Sequence, residues 1–198
     1  MDKKEKTCRL FEELLSLLNT VFITIFAITM VFTFAFKMVT VQGDSMKNTL
    51  INGDKLISGA FYLTPEVGDI VIIKASESVL LDDNGQLVNG KGLNKQIVKR
   101  IIATENQTVD IDFERGIVEV DGVPLNEEYI TDLTHLDEGA FTNQYPITVP
   151  EGHVFVMGDN RTVSKDSRSS DIGFVPVENI VGEVYFRFLP LDSFGFVD

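Results

Sequence analysis

The chain has 198 residues, of which 44% are apolar, and a formal net charge of −13 at pH 7. This length allows one domain, and the apolar share is enough for a hydrophobic core. A chain with this negative charge and no basic patch is not expected to attract nucleic acid or anionic lipid electrostatically. The only cysteine, Cys8, lies near the N-terminus, so the sequence predicts a fold without disulfides.

The first predicted element is an uncharged apolar run at residues 14–36. A helix of this length measures about 35 Å, which spans a hydrocarbon layer of ~30 Å with some tilt. The alternatives are a buried core helix and a cleaved secretory signal, but the apolar part of such a signal is usually ~7–15 residues long, and no small-residue cleavage site closes this run. We therefore expect an uncleaved transmembrane anchor at 14–36, a cytoplasmic tail at 1–13 and an extracytoplasmic domain at 37–198.

The basic residues that flank the apolar run predict its orientation. More of them precede the run than follow it closely: Lys3, Lys4, Lys6 and Arg9 against Lys37, Lys47 and Lys55. Because cytoplasmic flanks are enriched in Lys and Arg, the N-terminus is expected in the cytoplasm. The predicted localisation is the cell membrane, with a single pass and the domain outside the cell, so the lipid bilayer is one expected partner.

After the anchor, short β-branched or aromatic runs follow one another with a period of two, separated by Gly, Asn, Asp or Pro. The predicted fold class is mainly β, an antiparallel β domain with one N-terminal transmembrane helix. The predicted strands are 54–58, 69–74, 95–103, 108–113, 116–120, 153–157 and 182–189.

Two stretches lack this periodicity. Residues 76–94 are rich in Asp, Asn and Gly and are interpreted as an exposed excursion between two strands. Residues 126–150 are acidic and polar with irregularly spaced aromatics, and they form either a small inserted subdomain or a long loop.

A serine in Gly43-Asp44-Ser45-Met46 follows the anchor almost directly. To act as a nucleophile, this serine needs a base. The two histidines, His135 and His153, lie in no motif with a carboxylate that would orient them, so the sequence does not favour a Ser-His-Asp triad.

Lys99 is the better candidate base. In a strand, Ile97, Lys99 and Ile101 share one face, so the amine is expected in apolar surroundings. Loss of hydration lowers the pKa of such an amine toward the range in which it accepts a proton from serine. Taken alone, a strand lysine more often reaches solvent, and Lys99 also fits that interpretation.

A polar cluster at residues 158–168 directly follows the apolar strand predicted at 153–157. It contains Asp159, Arg161, Ser164, Asp166 and Arg168. Polar groups at a strand end are well placed to form ion pairs and hydrogen bonds around a site, although alone they also fit a solvated loop.

Over nearly its whole length the chain resembles the type I signal peptidases of the Gram-positive bacterial kind. The resemblance lies in an ordered set of segments: the anchor, Gly43-Asp44-Ser45-Met46, Gly68-Asp69-Ile70-Val71, Val98-Lys99-Arg100-Ile101-Ile102, and Gly158-Asp159-Asn160-Arg161 with Ser164, Asp166, Ser167 and Arg168. That family consists of membrane-anchored Ser-Lys proteases with a largely β catalytic domain. The resemblance implies removal of signal peptides from exported preproteins, which are then the expected substrates, bound in an extended mode.

The resemblance also implies a role for individual residues. Ser45 matches the nucleophile and contributes its backbone N–H to the oxyanion hole, and Lys99 matches the general base. Ser164 matches the serine that orients this lysine. Supporting ion pairs are expected between Asp159 and Arg100 and between Asp166 and Arg168. Gly43 stands where some relatives place a serine hydroxyl in the oxyanion hole, so a second donor has to come from elsewhere. No metal and no cofactor are expected.

The chain departs from the family pattern in three places. Asn48 replaces the usual proline, so the turn after the nucleophile loses a fixed φ. Residues 103–107 replace a Gly-Pro-Gly-Asp-like turn, and the gap between Arg168 and Gly173 is longer than in many relatives. These departures suit an enzyme dedicated to few substrates.

Two other functions remain as alternatives. A self-cleaving repressor-type protease also uses Ser-Met and a strand lysine, but it has a DNA-binding region where this chain has the anchor. The other is a non-catalytic or narrowly dedicated anchored chaperone or peptidase for surface-fibre (pilus) assembly, which adds surface or pilus proteins as partners.

Overall fold

The structure is a computed structural model that describes residues 3–59, 64–142 and 144–197. The chain folds as two compact units, Met1–Lys37 and Met38–Asp198, each of which is described by itself.

The first unit consists mainly of helix α1 (Lys3–Ala35). Its part Phe11–Ala35 is long and apolar enough to cross a bilayer, and its most apolar stretch is not buried against the rest of the protein. Four threonine hydroxyls in this part donate to the carbonyl four residues earlier, namely those of Thr20, Thr24, Thr29 and Thr33. Because hydrocarbon offers no hydrogen-bond partners, polar groups satisfied within the helix are what a membrane-spanning segment requires.

The second unit contains two antiparallel sheets. The first sheet comprises β1 (Phe36–Thr40), β2 (Lys55–Gly59), β3 (Ile70–Leu81), β4 (Leu87–Ala103), β9 (His153–Met157), β10 (Val175–Pro176), β11 (Ile180–Leu189) and β12 (Gly195–Phe196). The second comprises β5 (Thr108–Asp112), β6 (Ile117–Val120), β7 (Val123–Pro124) and β8 (Ile147–Thr148). The strands of the first sheet run in the order β1-β2-β11-β3-β4-β9-β10, with β12 paired to β11, and those of the second in the order β7-β6-β5-β8. The mainly β fold class with one N-terminal apolar helix is confirmed.

The prediction that residues 76–94 leave the sheet as an exposed excursion between two strands was wrong. Strands β3 and β4 continue through most of this stretch and form one long hairpin. Their register runs from Ile70↔Arg100 to Leu81↔Leu87. Part of the reason that the period was hidden is that two positions of β4 hold glycine. A Cβ on Gly90 would lie 2.6 Å from Ser78 Oγ, and one on Gly92 would lie 2.6 Å from the Glu77 nitrogen. A side chain at Gly92 would collide with backbone atoms of β3, and glycine at both positions interrupts the alternation in the sequence.

Core packing fixes the turn that follows β1. Met46 and Leu50 are fully buried in a cluster that also contains Leu56, Ile70 and Ile72. The Leu50 nitrogen donates to the Met46 carbonyl at 2.7 Å, so residues 46–50 form one tight turn. Burial of such apolar side chains contributes roughly 1.5–3 kcal/mol each, and it holds the residue before Met46 at the surface of the core.

Residues 126–150 contribute to the core of the same unit. Phe141 and Ile147 are buried in one cluster with Phe155 and Phe174. The Phe141 and Phe174 ring centroids are 4.7 Å apart. This part of the chain therefore packs against β9 and the segment that precedes β10.

Candidate active site

Ser45 and Lys99 meet at one end of the first sheet. Lys99 lies on β4 opposite Val71 of β3, and its side chain is only 2% exposed. Its Nζ atom is 2.8 Å from Ser45 Oγ and 2.8 Å from the Val98 carbonyl oxygen. The fold thus brings together two residues that are 54 positions apart.

Burial is the main cause of an altered pKa at Lys99. Desolvation lowers the pKa of this amine from 10.5 to about 8; the negative charge of Asp166 opposes this effect, and the positive charge of Lys95 adds to it. With that pKa, about one molecule in ten carries a neutral amine at pH 7. The amine is therefore able to act as a base near neutral pH, which a lysine in water cannot do effectively.

The backbone around Ser45 is held by a neighbouring loop. The Asn160 nitrogen donates to the Ser45 carbonyl oxygen at 3.0 Å, and Asn160 Nδ2 donates to the Asp44 carbonyl oxygen at 3.1 Å. On the other side, the Gly43 nitrogen donates to Asn52 Oδ1 at 3.0 Å. These contacts fix the main chain on both sides of the serine.

The N–H of Ser45 has no acceptor within the part of the chain that the structure describes. It is therefore available to an oxyanion. Gly43 has a φ of +87°, and a Cβ there would meet nothing within 4 Å. Backbone conformation, rather than space, is thus what favours glycine at this position.

Arg100 and Asp159 form a buried bidentate ion pair. Arg100 Nε and Nη2 lie 2.9 Å from the two carboxylate oxygens of Asp159. Arg100 Nη1 also donates to the Gly68 carbonyl oxygen at 2.9 Å, and Thr49 Oγ1 donates to Asp159. Because Arg100 follows Lys99 on β4, the pair anchors the strand directly beside the amine.

Asp166 and Arg168 form a second buried pair, with both contacts at 2.9 Å. Burial by itself would raise the pKa of Asp166, but Arg168 and the Gly158 N–H, 3.0 Å away, hold it below the ordinary value. The carboxylate is therefore ionised, and it is the negative charge that partly offsets desolvation at Lys99.

Ser164 does not contact Lys99 in the way that the sequence suggested. Its Oγ atom is buried near the Asp166 carboxylate, yet it has no partner at hydrogen-bond geometry among the described residues. The Val98 carbonyl, rather than Ser164, accepts the second hydrogen bond of the amine.

Sequence reasoning gave no individual role to Gly158. A Cβ at this position would lie 2.4 Å from the Ser45 carbonyl oxygen and 2.2 Å from Ser164 Oγ. Only glycine allows the end of β9 to approach the nucleophile this closely. A glycine directly after a buried strand was the available signal.

Sequence reasoning also missed the residues that lie against the ion pairs. Arg161 is fully buried, donates to Glu127, and places Nη1 2.6 Å from Thr134 Oγ1. The Tyr129 ring stacks on Arg100, with 4.1 Å between the guanidinium carbon and the ring centroid. Residues from the irregular segment thus cover the polar cluster.

The two histidines make local contacts elsewhere. His135 Nδ1 lies 2.9 Å from the Phe113 carbonyl oxygen, and His153 Nδ1 lies 2.8 Å from that of Glu151. Neither histidine lines the groove that contains Ser45.

That groove has a volume of about 950 Å³. Residues 39–47, which run from β1 into the turn that carries Ser45, form one wall, and residues 95–99 of β4 form much of the other. Ile97 lies in the second wall next to the amine.

The family model described as signal peptidase, peptidase S26, matches residues 14–189. The chain belongs to this family. The probable signal peptidase I-1 of Synechocystis sp. is 40% identical over 158 residues, which cover 78% of this chain and 72% of that protein. Signal peptidase I P of Bacillus subtilis subsp. natto is 33% identical over 199 residues and 97% of both chains. The crystal structure of a signal peptidase I from Enterococcus faecalis V583 has 28% identity and a TM-score of 0.39, and it covers 62% of this chain and 98% of its own.

Membership of the peptidase S26 family confirms the resemblance and the predicted function, a signal peptidase. These relatives give no support to the surface-fibre alternative or to surface or pilus proteins as partners. The roles of single residues in this signal peptidase are a separate question, which depends on the geometry above.

Proposed function

We propose that this signal peptidase is a serine endopeptidase that uses Ser45 as nucleophile and neutral Lys99 as general base on secretory preproteins. The observation that carries the proposal is the 2.8 Å contact between Lys99 Nζ and Ser45 Oγ, made by an almost fully buried amine. Acyl transfer requires a nucleophile and a base within hydrogen-bond reach of each other, and a base whose pKa is lowered toward neutral pH.

In the first half of the reaction, Lys99 Nζ accepts the hydroxyl proton as Ser45 Oγ attacks the scissile carbonyl carbon. The Ser45 N–H stabilises the oxyanion of the tetrahedral intermediate. Lys99 then gives its proton to the leaving amine of the mature chain while the C–N bond breaks. The product is an ester between Ser45 and the C-terminus of the signal peptide.

In the second half, Lys99 takes a proton from water, whose oxygen attacks the ester carbon. As the C–O bond to Ser45 breaks, Lys99 gives this proton to Ser45 Oγ, and the signal peptide leaves with a free C-terminal carboxyl group. A neutral amine has two N–H groups and one lone pair. Because one N–H is directed to the Val98 carbonyl, the amine is oriented with respect to Ser45. Ser164 remains a prediction as an additional orienting group, and its buried hydroxyl is available for that role.

We also propose the topology that the flanking charges indicate, with the N-terminus in the cytoplasm and α1 as a single-pass anchor in the cell membrane. Residues 38–197 then act on the outer side, where signal peptides emerge. Confinement to that surface raises the effective concentration of substrate. The bound preprotein lies extended between residues 39–43 and 95–98 of the groove.

The test is cleavage of a detergent-solubilised preprotein by the full chain, with the N-terminus of the product sequenced. We expect Ser45→Ala and Lys99→Ala to abolish a correctly placed cut, and Lys99→Arg not to restore it, because arginine stays protonated. Ser170→Ala and Lys74→Ala serve as matched controls, since both residues are exposed and neither lines the groove. Cleavage by either dyad variant at the wild-type rate would contradict the assignment.

A further inference from the structure

Asn48 has a backbone conformation that proline cannot adopt. Its φ is +99°, whereas the proline ring fixes φ near −65°. The expectation that this turn merely loses a fixed φ was therefore incomplete, because the turn occupies a region that is closed to proline. Few residues other than glycine adopt such a φ without support from their surroundings.

The side chain of Asn48 leaves its own turn and contacts a distant segment. Its Nδ2 donates to Thr131 Oγ1 at 2.8 Å and lies 3.4 Å from the Tyr129 carbonyl oxygen. We call residues 127–134 the strap. Thr131 is 83 positions away from Asn48, so this is a tertiary contact and not part of the local turn.

The strap also contacts the buried arginines of the polar cluster. Tyr129 stacks on Arg100, and both Glu127 and Thr134 accept from Arg161. Each of these arginines is fixed in turn: Arg100 pairs with Asp159, and Arg161 Nε donates to the Gly158 carbonyl oxygen at 3.1 Å. The strap is thus tied to the layer that supports the base.

A second connection runs from the turn to the same layer. Thr49, the residue after Asn48, donates to Asp159 and lies 3.4 Å from Arg100 Nη2. With the Asn48 contact, the turn, the strap and the Arg100–Asp159 pair form a closed ring of interactions. A ring of this kind restricts movement of the turn relative to β4, which carries Lys99.

We propose that Asn48 is a positioning residue, whose side-chain amide ties the turn that carries Ser45 to the strap and so keeps Ser45 Oγ within reach of Lys99. This inference rests on the proposed Ser45/Lys99 mechanism. Asn48 itself does not line the groove, so it acts through the turn and not through the substrate.

The test compares variants that keep the backbone and remove one side of the contact. Asn48→Gly allows a positive φ but has no amide, and Thr131→Val has no acceptor hydroxyl. We expect each variant to lower kcat about fivefold, the rate equivalent of one hydrogen bond, with little change in KM. Thr131→Ser restores the hydroxyl and is expected to restore kcat.

Three measurements separate positioning from a general loss of structure. The double variant Asn48→Gly/Thr131→Val is expected to be no slower than either single variant, because both remove the same contact. The pH at which kcat/KM is half-maximal and the thermal midpoint are expected to stay close to those of the wild type. Asn106→Gly is the matched control, since Asn106 is also exposed with a positive φ of 66° but is distant from the turn in sequence and absent from the groove lining.

Wild-type kcat in both single variants, or additive losses in the double variant, would overturn the proposal. A loss of kcat that only follows a fall in thermal midpoint would overturn it as well. Ser45→Ala and Lys99→Ala are measured in the same assay. If these two are inactive while the Asn48 variants are normal, the dyad stands and only the positioning role is wrong; if they remain active, the dyad itself is wrong.

Discussion

Lys99 Nζ lies 2.8 Å from Ser45 Oγ, although Lys99 belongs to a sheet strand and Ser45 to a surface turn. The amine is almost fully buried. Its position creates a conflict between folding, which disfavours a buried charge, and catalysis, which needs a base at this point.

The rate of cleavage should fall on acidification. The base must be neutral, and the pKa of Lys99 is lowered to about 8, chiefly by burial. Below that pH, kcat/KM should therefore decrease about tenfold per pH unit, and above it the rate should level off. The measurement is kcat/KM for a preprotein peptide from about pH 6 to about pH 10. A flat profile through mildly acidic pH would rule out Lys99 as the base.

Replacing Lys99 by methionine should stabilise the protein while abolishing activity. The folded-state pKa of about 8 lies below the 10.5 of an unperturbed lysine, so the folded state is penalised wherever the unfolded chain is protonated. The penalty is fully present below about pH 8 and is relieved as pH rises toward the unfolded value. We expect Lys99→Met to raise the free energy of unfolding by about 1–3 kcal/mol at pH 7, measured by urea denaturation.

The same experiment at high pH provides the internal control. Because the wild type regains stability as the pH rises from about 8 to above 10, the difference between the two proteins should shrink over that range. If Lys99→Met were less stable than the wild type at pH 7, the hydrogen bonds and charges around the amine would more than offset the cost of its desolvation, and the prediction would be wrong.

The charge of Lys95 should set the position of the pH profile. Burial is the largest cause of the lowered pKa at Lys99, and the positive charge of Lys95, on the same wall of the groove, lowers it further. Lys95→Gln removes that charge, so the half-maximal pH of kcat/KM should move upward, with a smaller displacement at high salt. Lys74→Gln, an exposed residue on β3 that does not line the groove, should leave the profile unchanged. Equal profiles for Lys95→Gln and the wild type would contradict this prediction.

The two ion pairs were expected from the ordered motifs of the family resemblance, and the structure contains both. The burial of Lys99 was expected from the alternation of a strand. A strand has a fixed alternation, and ordered motifs specify which side chains follow one another. The contacts of the strap could not be predicted in this way. Asn48 meets Thr131 across 83 residues, and Arg100 meets Tyr129 through packing of an irregular segment.

The missed hairpin has a similar explanation. Alternation disappears where Gly90 and Gly92 interrupt β4, and at Gly92 the backbone of β3 lies too close for a side chain. Composition there resembles that of a loop, although the backbone pairing is that of a sheet. Local propensity is a weak guide wherever tertiary pairing determines the structure.

Breaking the second ion pair should be costly. Arg168 and Asp166 are both completely buried, so Arg168→Met leaves a carboxylate without its partner. Removing one member of such a pair destabilises proteins by about 3–5 kcal/mol, whereas exposed pairs contribute about 0–1 kcal/mol. Lys165→Gln, which breaks the exposed Lys165–Asp171 pair, is the matched control. Urea denaturation of both variants gives the comparison, and similar losses in the two would argue against a special role for burial.

Gly158→Ala should damage the active site more than its single methyl group suggests. The added Cβ would lie 2.4 Å from the Ser45 carbonyl oxygen and 2.2 Å from Ser164 Oγ, distances at which neighbouring atoms have to move. Ser45 is held from the same side by the Asn160 nitrogen, so β9 and the nucleophile turn have little room to separate. We expect kcat to fall by about 100-fold or more, because a displacement of ~1 Å at a reacting atom has effects of that size. Gly195→Ala, whose Cβ would meet nothing within 4 Å, should keep the wild-type rate. If Gly158→Ala retained full kcat, the close approach of β9 would not be what positions Ser45.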